Sequence, residues 1–239
     1  IVIGSGPGGG ALAQKLAPSG KKILILERGD YLPRETANWS SNEDIMQGRY
    51  QARETRDNAE GDRLEPGLHR YVGGNSKVYG AALFRLRERD FGELVHSDGI
   101  SPAWPLRYEE FAPWYDEAEQ LFHVHGERGE DPNEPPCSGA FPYPPVSHET
   151  EVEALRAGLA AQGLKPFHLP LGILLEERDG KPTRTSRCIK CDAFDGFPCP
   201  LDAKADLQVV CIDPMLRDHA NATLLTNAMV DRLATDACG

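Results

Sequence analysis

Ile1-Val2-Ile3-Gly4-Ser5-Gly6-Pro7-Gly8-Gly9-Gly10 is an apolar strand that runs straight into a glycine turn. Ile23-Leu24-Ile25-Leu26-Glu27 is a second apolar run, and it ends on a carboxylate. Strand, glycine turn, helix, strand and acid, in that order, make a dinucleotide-binding βαβ unit. Gly4 permits the tight turn, Gly6 lets backbone approach a pyrophosphate, and Gly9 lets the helix pack close on the strand. The helix start, reached through Ser5, Gly6, Pro7 and Gly8, offers unpaired N–H groups and partial positive charge to phosphate. Glu27 stands where a carboxylate can accept hydrogen bonds from both hydroxyls of an adenosine ribose. Its charge would repel a 2′-phosphate, which disfavours NADP. Ala13 and Leu16 are expected on the sheet-facing side of the helix, and Pro18-Ser19-Gly20 is expected to end it. The motif by itself does not separate NAD from FAD.

The 239 residues carry a formal net charge of −11, which argues against a nucleic-acid partner because a phosphate backbone would be repelled. With 40% hydrophobic and 26% charged residues the composition is that of a protein with an ordinary core. No apolar run approaches the roughly 20 residues of a membrane span, and a cytoplasmic location is the expectation. Gly 24 and Pro 19 imply many loops, and the prolines bunch between Pro132 and Pro145. Residue 1 already lies within the first strand, and Asp236-Ala237-Cys238-Gly239 follows another strand-like run. The chain is therefore expected to be the N-terminal portion of a longer protein.

Beyond the βαβ core, residues 31–68 are polar and irregular. Arg49, Arg53, Arg56 and Arg63 are interleaved with acids there, as on a solvated loop or exposed helix, and helical pieces are expected around Asn42–Arg56. Gly73-Gly74-Asn75-Ser76-Lys77-Val78-Tyr79-Gly80 is a second small-residue turn. It suits an anion or the edge of a heterocycle, or else a tight turn entering a helix. Ala112–Val124 reads as a helix with Phe111, Trp114, Tyr115, Ala118, Leu121 and Phe122 packed along one side. Thr150–Gly163 repeats an amphipathic pattern through Val152, Leu155, Leu159 and Ala160, with Gly163 as its cap. Pro166–Leu175 reads as strand, Asp202–His219 as helix, and Asn221–Leu233 as a strand, a short turn and a second strand. Cys188, Cys191, Cys199 and Cys211 cluster, with Cys137 and Cys238 apart. Their spacing matches no recognised ligand set, so packed thiols or a local disulfide are expected and no metal site is assigned.

The order of these pieces resembles the glucose–methanol–choline oxidoreductases. Four segments carry the likeness: Gly4–Glu27, Gly73–Gly80, Trp104–Glu119, and Arg187 through Ala203-Lys204 to the strand ending near Val230. The resemblance implies a discontinuous α/β, Rossmann-like FAD-binding domain with part of an inserted α+β substrate or cap domain. The expected limits are 1–101 and 203–239 for the flavin-binding parts, with 31–68 over the cofactor, and 102–202 for the insert. It implies that Gly4, Ser5, Gly6, Pro7, Gly8 and Gly9 hold the FAD pyrophosphate and Glu27 the adenosine ribose. Gly73, Gly74, Asn75, Ser76 and Gly80 would line the diphosphate and isoalloxazine edge, and Val230 would place backbone against adenine. Two departures stand out. Tyr79 occupies a position where many members have Asn or His, and Val78 replaces the His of members with a covalently attached flavin, so FAD should be noncovalent. The resemblance implies hydride transfer from a CH–OH group of an alcohol or sugar, with the electron acceptor open. The family's catalytic His pair lies near the C-terminus. His69, His123, His125 and His168 sit in no matching motif, and no catalytic residue is assigned in this chain. Two other readings remain: an NAD-dependent dehydrogenase, which would repeat βα units after Glu27, and a non-catalytic nucleotide- or metal-binding module.

Overall fold

The computed structural model describes residues 1–193 and 196–235, so Cys238 lies outside the described residues. In chain order the principal elements are β1 (Val2–Ile3), α1 (Pro7–Leu16), β2 (Ile23–Leu26), α2 (Tyr108–Leu121), α3 (Thr150–Ala161), α4 (Asp213–Asp218) and β3 (Ala222–Leu225). Two compact units result, one from Ile1–Gly80 with Cys191–Gly239 and one from Ala81–Lys190. These limits differ from the sequence-derived ones of 1–101, 102–202 and 203–239.

In the first unit, β2 is the middle of a parallel three-stranded sheet, with β1 on one side and β3 on the other. Val2 lies opposite Ile25, and β3 pairs with β2 from Ala222 opposite Ile23 to Leu225 opposite Leu26. Alternation along β2 turns Ile23 and Ile25 inward, where Ile25 is fully buried. Helix α1 lies on this sheet through Gly10 and Ala13, continued by Ala17, and the shared core includes Val72, Ile212 and Met215. Leu16, expected on this face, is 42% exposed. The smallest side chains set the line of closest approach, at positions 10, 13 and 17, and that line turns Leu16 outward. A 3₁₀ turn over Ala17–Ser19 and Gly20, at φ +72°, end the helix as expected.

Two other expectations for this unit meet corrections, while residues 31–68 are irregular with a helical turn inside Asn42–Arg56, as expected. Residues 31–68 hold a 3₁₀ turn at Thr36–Trp39, a π-turn at Asn42–Met46, and a two-residue ladder pairing Arg56–Asp57 with Arg63–Leu64. The expected helix Asp202–His219 begins only at Gln208, as a π-turn to Ile212 that passes into α4. Asp206 accounts for the late start, because its carboxylate accepts the Val209 N–H at 3.1 Å and caps the stretch from outside it. The second strand expected within Asn221–Leu233 is not formed among the described residues. There the Asn227 N–H donates to Gly29 O at 2.9 Å and the Ala228 N–H to Glu27 O at 2.8 Å. These bonds carry the chain on past the end of β2 and leave no hairpin.

In the second unit, α2 starts at Tyr108, before the expected Ala112, and ends at Leu121. Phe91, Trp104 and Phe111 form a ring cluster with centroids 5.3–6.2 Å apart. Trp114, read as part of the packed stripe, is 62% exposed, and the helix instead buries Tyr108 and Glu119. No residue of α3 is buried, which corrects the packed face expected through Val152 and Leu155. Gly163, at φ +81°, closes α3 with the Leu164 N–H donating to Leu159 O at 3.2 Å. The strand expected over Pro166–Leu175 contracts to Leu171–Gly172, antiparallel to Val124–His125. Pro166 and Pro170 have no N–H to give a ladder. No helix among the described residues is long and apolar enough to cross a membrane.

Candidate dinucleotide site

The first glycine turn is built from the sequence upward. Gly4 takes φ +84°, a left-handed conformation closed to most side chains, and its N–H donates to Leu26 O at 2.8 Å. A Cβ at Gly9 would stand 2.0 Å from Gly4 O, so only glycine lets α1 rise so near the strand it follows. No side chain caps the helix, whose N-cap is Gly6, and Pro7 occupies its first turn. Pro7 and Gly8 are exposed, and a Cβ at Gly8 would meet nothing within 4 Å. Open space before uncapped N–H groups is what a pyrophosphate requires.

Ser5 ties this turn to two others. Its hydroxyl donates to Glu27 Oε2 at 2.5 Å and its N–H donates to the same oxygen at 2.8 Å. The Gly73 N–H donates to Ser5 Oγ at 3.1 Å. Glu27 Oε1 takes the Gly29 N–H at 2.9 Å, and Glu27 is 6% exposed. A carboxylate has about four acceptor positions, and three of these are thereby taken within the protein.

The second turn meets the first backbone to backbone. Gly73 and Gly74 take φ +96° and +61°, and a Cβ at Gly74 would lie 3.0 Å from Gly6 Cα. Asn75 is exposed, and its Oδ1 accepts the His69 N–H at 2.9 Å. Ser76 faces inward, donating to Gly73 O at 2.6 Å and accepting the Leu207 N–H at 3.1 Å. Lys77 Nζ donates to Asp206 Oδ2 at 2.9 Å in a pair whose side chains are 5% and 2% exposed. Burial pushes the Asp206 carboxyl above the ordinary carboxylate range while Lys77 opposes the shift. The Tyr79 hydroxyl donates to Ala205 O at 2.9 Å, and burial raises its pKa.

The structure thus brings Gly4, Ser5, Gly6, Gly9, Glu27, Gly73 and Gly74 together. Asn75 and Gly80 are exposed parts of the second turn, and half-buried Val230 follows the segment hydrogen-bonded to the end of β2. Sequence reasoning missed Lys77, Lys204 and Asp206. For Lys204 and Asp206 a signal was present in Ala203-Lys204-Ala205-Asp206-Leu207, where charges alternate with small or apolar residues. Among the cysteines, Cys211 is buried, Cys188 and Cys199 are half-buried, and Cys137 and Cys191 are exposed. Among the described residues no group of three or more His, Cys, Asp or Glu is arranged to hold a metal ion.

The fold and its paired turns define a Rossmann-like dinucleotide-binding domain, and a family profile described as an NAD(P)-binding Rossmann-like domain matches residues 2–85. The likeness to the glucose–methanol–choline oxidoreductases is matched by relatives that are named as oxidases. It is 31% identical to 6'''-hydroxyparomomycin C oxidase of Streptomyces lividus, over 100% of this chain and 42% of that protein. It is 32% identical to paromamine 6'-oxidase of Streptomyces fradiae, over 99% of this chain and 41% of the relative. The fold is shared with pyridoxine 4-oxidase from Mesorbium loti, with a TM-score of 0.51 at 18% identity, over 94% of this chain and 41% of the other. The chain therefore spans about two fifths of the length of the relatives it matches.

Proposed function

We propose that this chain is the flavin-binding part of an FAD-dependent oxidoreductase that oxidises a CH–OH group of an alcohol or sugar. The observation that carries the reading is the meeting of two glycine turns, with Gly73 bonded to Ser5 and Gly74 packed on Gly6. The chemistry supplied by bound FAD is hydride acceptance at flavin N5. In this reading Gly4 to Gly9 and the start of α1 bind the pyrophosphate by backbone N–H groups. Glu27 accepts one ribose hydroxyl directly, its remaining acceptor positions being held by Ser5 and Gly29. Gly73, Gly74, Asn75, Ser76 and Gly80 shape the floor under the diphosphate and isoalloxazine edge, and backbone near Val230 faces adenine. Val78 offers no nucleophile, so FAD is held noncovalently.

The catalytic proton acceptor belongs, in this reading, to a part of the protein outside this chain. Support comes from the histidines present. His125 and His123 stack on Tyr143, and His168 is bound to Glu130 at 2.7 Å. An NAD-dependent dehydrogenase would repeat βα units after Glu27. The third strand of this sheet instead comes from Ala222–Leu225, after a long irregular excursion, which favours flavin. The substrate class follows the named relatives, a 6'''-hydroxyparomomycin C oxidase and a paromamine 6'-oxidase.

The test is a visible absorption spectrum of the full-length protein before and after acid precipitation. A yellow supernatant is expected. Colour kept in the pellet would overturn the noncovalent assignment, and protein free of flavin would overturn the reading itself.

A further inference from the structure

The second glycine turn is held in part by a remote segment of the chain. Two consecutive glycines at positive φ give it high backbone freedom, and besides the local bonds of Asn75 and Ser76 the side chains of Ser76, Lys77 and Tyr79 reach one remote segment. Ser76 Oγ accepts the Leu207 N–H at 3.1 Å, and Lys77 Nζ donates to Asp206 Oδ2 at 2.9 Å. The Tyr79 hydroxyl donates to Ala205 O at 2.9 Å, and Lys204 Nζ donates back to Tyr79 O at 2.9 Å. The contacts run in opposite directions along the two segments, from 76 against 207 to 79 against 204. A slip of one residue in either segment would break every one of them.

We propose that this ladder, centred on the buried Lys77–Asp206 pair, is a positioning clamp that holds the second glycine turn in the shape that binds flavin. The inference rests on the flavin reading given above. Both partners are nearly fully buried, at 4% and 1% exposure. Well-packed apolar residues often stabilise such a site as well as a buried ion pair does, so what the charged pair adds is direction and register. The segment also reaches the first turn's helix, since a Cβ at Gly10 would stand 3.3 Å from Leu207 Cδ1. One stretch, Lys204 to Leu207, therefore sets both turns. It also gives Tyr79 a role of its own, because an Asn or His at that position would not carry the phenol that reaches Ala205.

The clamp is tested in the full-length protein with FAD as the probe, comparing wild type, D206N and the charge-free double variant K77M/D206L. Each apoprotein is titrated with FAD, and the midpoint potential of the bound flavin is measured alongside circular dichroism. The double variant is expected to keep the fold yet bind FAD at least tenfold more weakly, with a potential near that of wild type. D206N, which leaves the Lys77 charge uncompensated beside the flavin turn, is expected to bind weakly and to shift the potential upward. A folded double variant with wild-type affinity overturns the clamp and leaves the pair as packing. A folded D206N with unchanged affinity and potential overturns it equally. A wild-type protein that takes up no FAD overturns the flavin reading and this inference with it, and so is told apart from a failure of the clamp alone.

Discussion

The hydroxyl of Ser5 accepts the Gly73 N–H at 3.1 Å while donating to Glu27 at 2.5 Å, so one small side chain joins the two glycine turns and the acid at the end of β2. Removing it in Ser5→Ala leaves a buried N–H unpaired and takes one donor from a buried carboxylate. A loss of about 2 kcal/mol is expected. Urea denaturation measures it, and FAD titration of the full-length variant should show roughly tenfold weaker binding, as a further 1.4 kcal/mol would give. A variant that loses stability but not affinity would confine Ser5 to the fold.

Gly8 and Gly9 are adjacent, yet a methyl group would meet open space at one and Gly4 O at 2.0 Å at the other. Gly9→Ala is therefore expected to cost on the order of 3 kcal/mol or more, because backbone must move. Gly8→Ala is expected to stay within about 0.5 kcal/mol of wild type while reducing flavin retention, since its methyl group enters the space before the helix start. Thermal melts of the two variants, with and without FAD, separate the effects. Equal melting temperatures in the absence of FAD would contradict the close helix–strand approach.

Arg85 is 7% exposed and grips Glu119 with two bonds of 2.7 Å, while a third reaches Asp116 at 2.5 Å. Arg85→Met leaves Glu119 buried with, among the described residues, Arg128 to balance it. A loss of about 3–5 kcal/mol is expected for the unit formed by Ala81–Lys190. Arg85→Lys should recover little, because an ammonium cannot serve two carboxylates with a planar fork. Chemical denaturation checks both, and full recovery by lysine would mean that charge alone is needed.

His125 is 3% exposed, with Nδ1 2.8 Å from Pro144 O. Burial pushes its pKa below the ordinary imidazole value, against weaker opposing contributions that include the Glu177 charge, and its neighbour His123 shifts the same way. Protons then bind the unfolded chain more tightly than the folded one. The stability contributed is intact above the unfolded value of about 6.5 and falls as the pH drops below it. Urea midpoints at pH 7.5 and 5.0 should differ more for wild type than for His125→Phe. An unchanged difference would remove His125 from the acid response.

How much of this was legible in sequence depends on whether a feature repeats along the chain or joins distant parts of it. The βαβ core could be read because Ile23-Leu24-Ile25-Leu26 is an apolar run ending on Glu27 and Gly4, Gly6 and Gly9 keep their spacing. Helices α2 and α3 could be located by period, but their burial could not. Trp114, Val152 and Leu155 are apolar at helical spacing and still exposed. The second strand expected before Leu233 failed because a run of suitable residues does not reveal a missing partner. The ladder between Ser76–Tyr79 and Lys204–Leu207 has no period at all, being a match between two irregular segments. For the same reason Glu27 could be assigned to a ribose while its bonds to Ser5 and Gly29 stayed hidden.

Cys211 follows that ladder in the chain and is fully buried, with its thiol pushed up to about 12 by burial and by the Asp206 charge. At pH 8 its reactive thiolate form is therefore scarce. Cys137 and Cys191 are exposed. Iodoacetamide at pH 8, followed by peptide mapping, should mark Cys137 and Cys191 quickly and reach Cys211 only after denaturation. Adding FAD should slow any residual labelling of Cys211, because a ligand that binds the folded form suppresses opening. Rapid alkylation of Cys211 in the native protein would mean that the stretch from Lys204 to Ile212 opens readily. A segment that opens so easily could not hold the second glycine turn in register, so the thiol reports on the same clamp that the flavin titrations test.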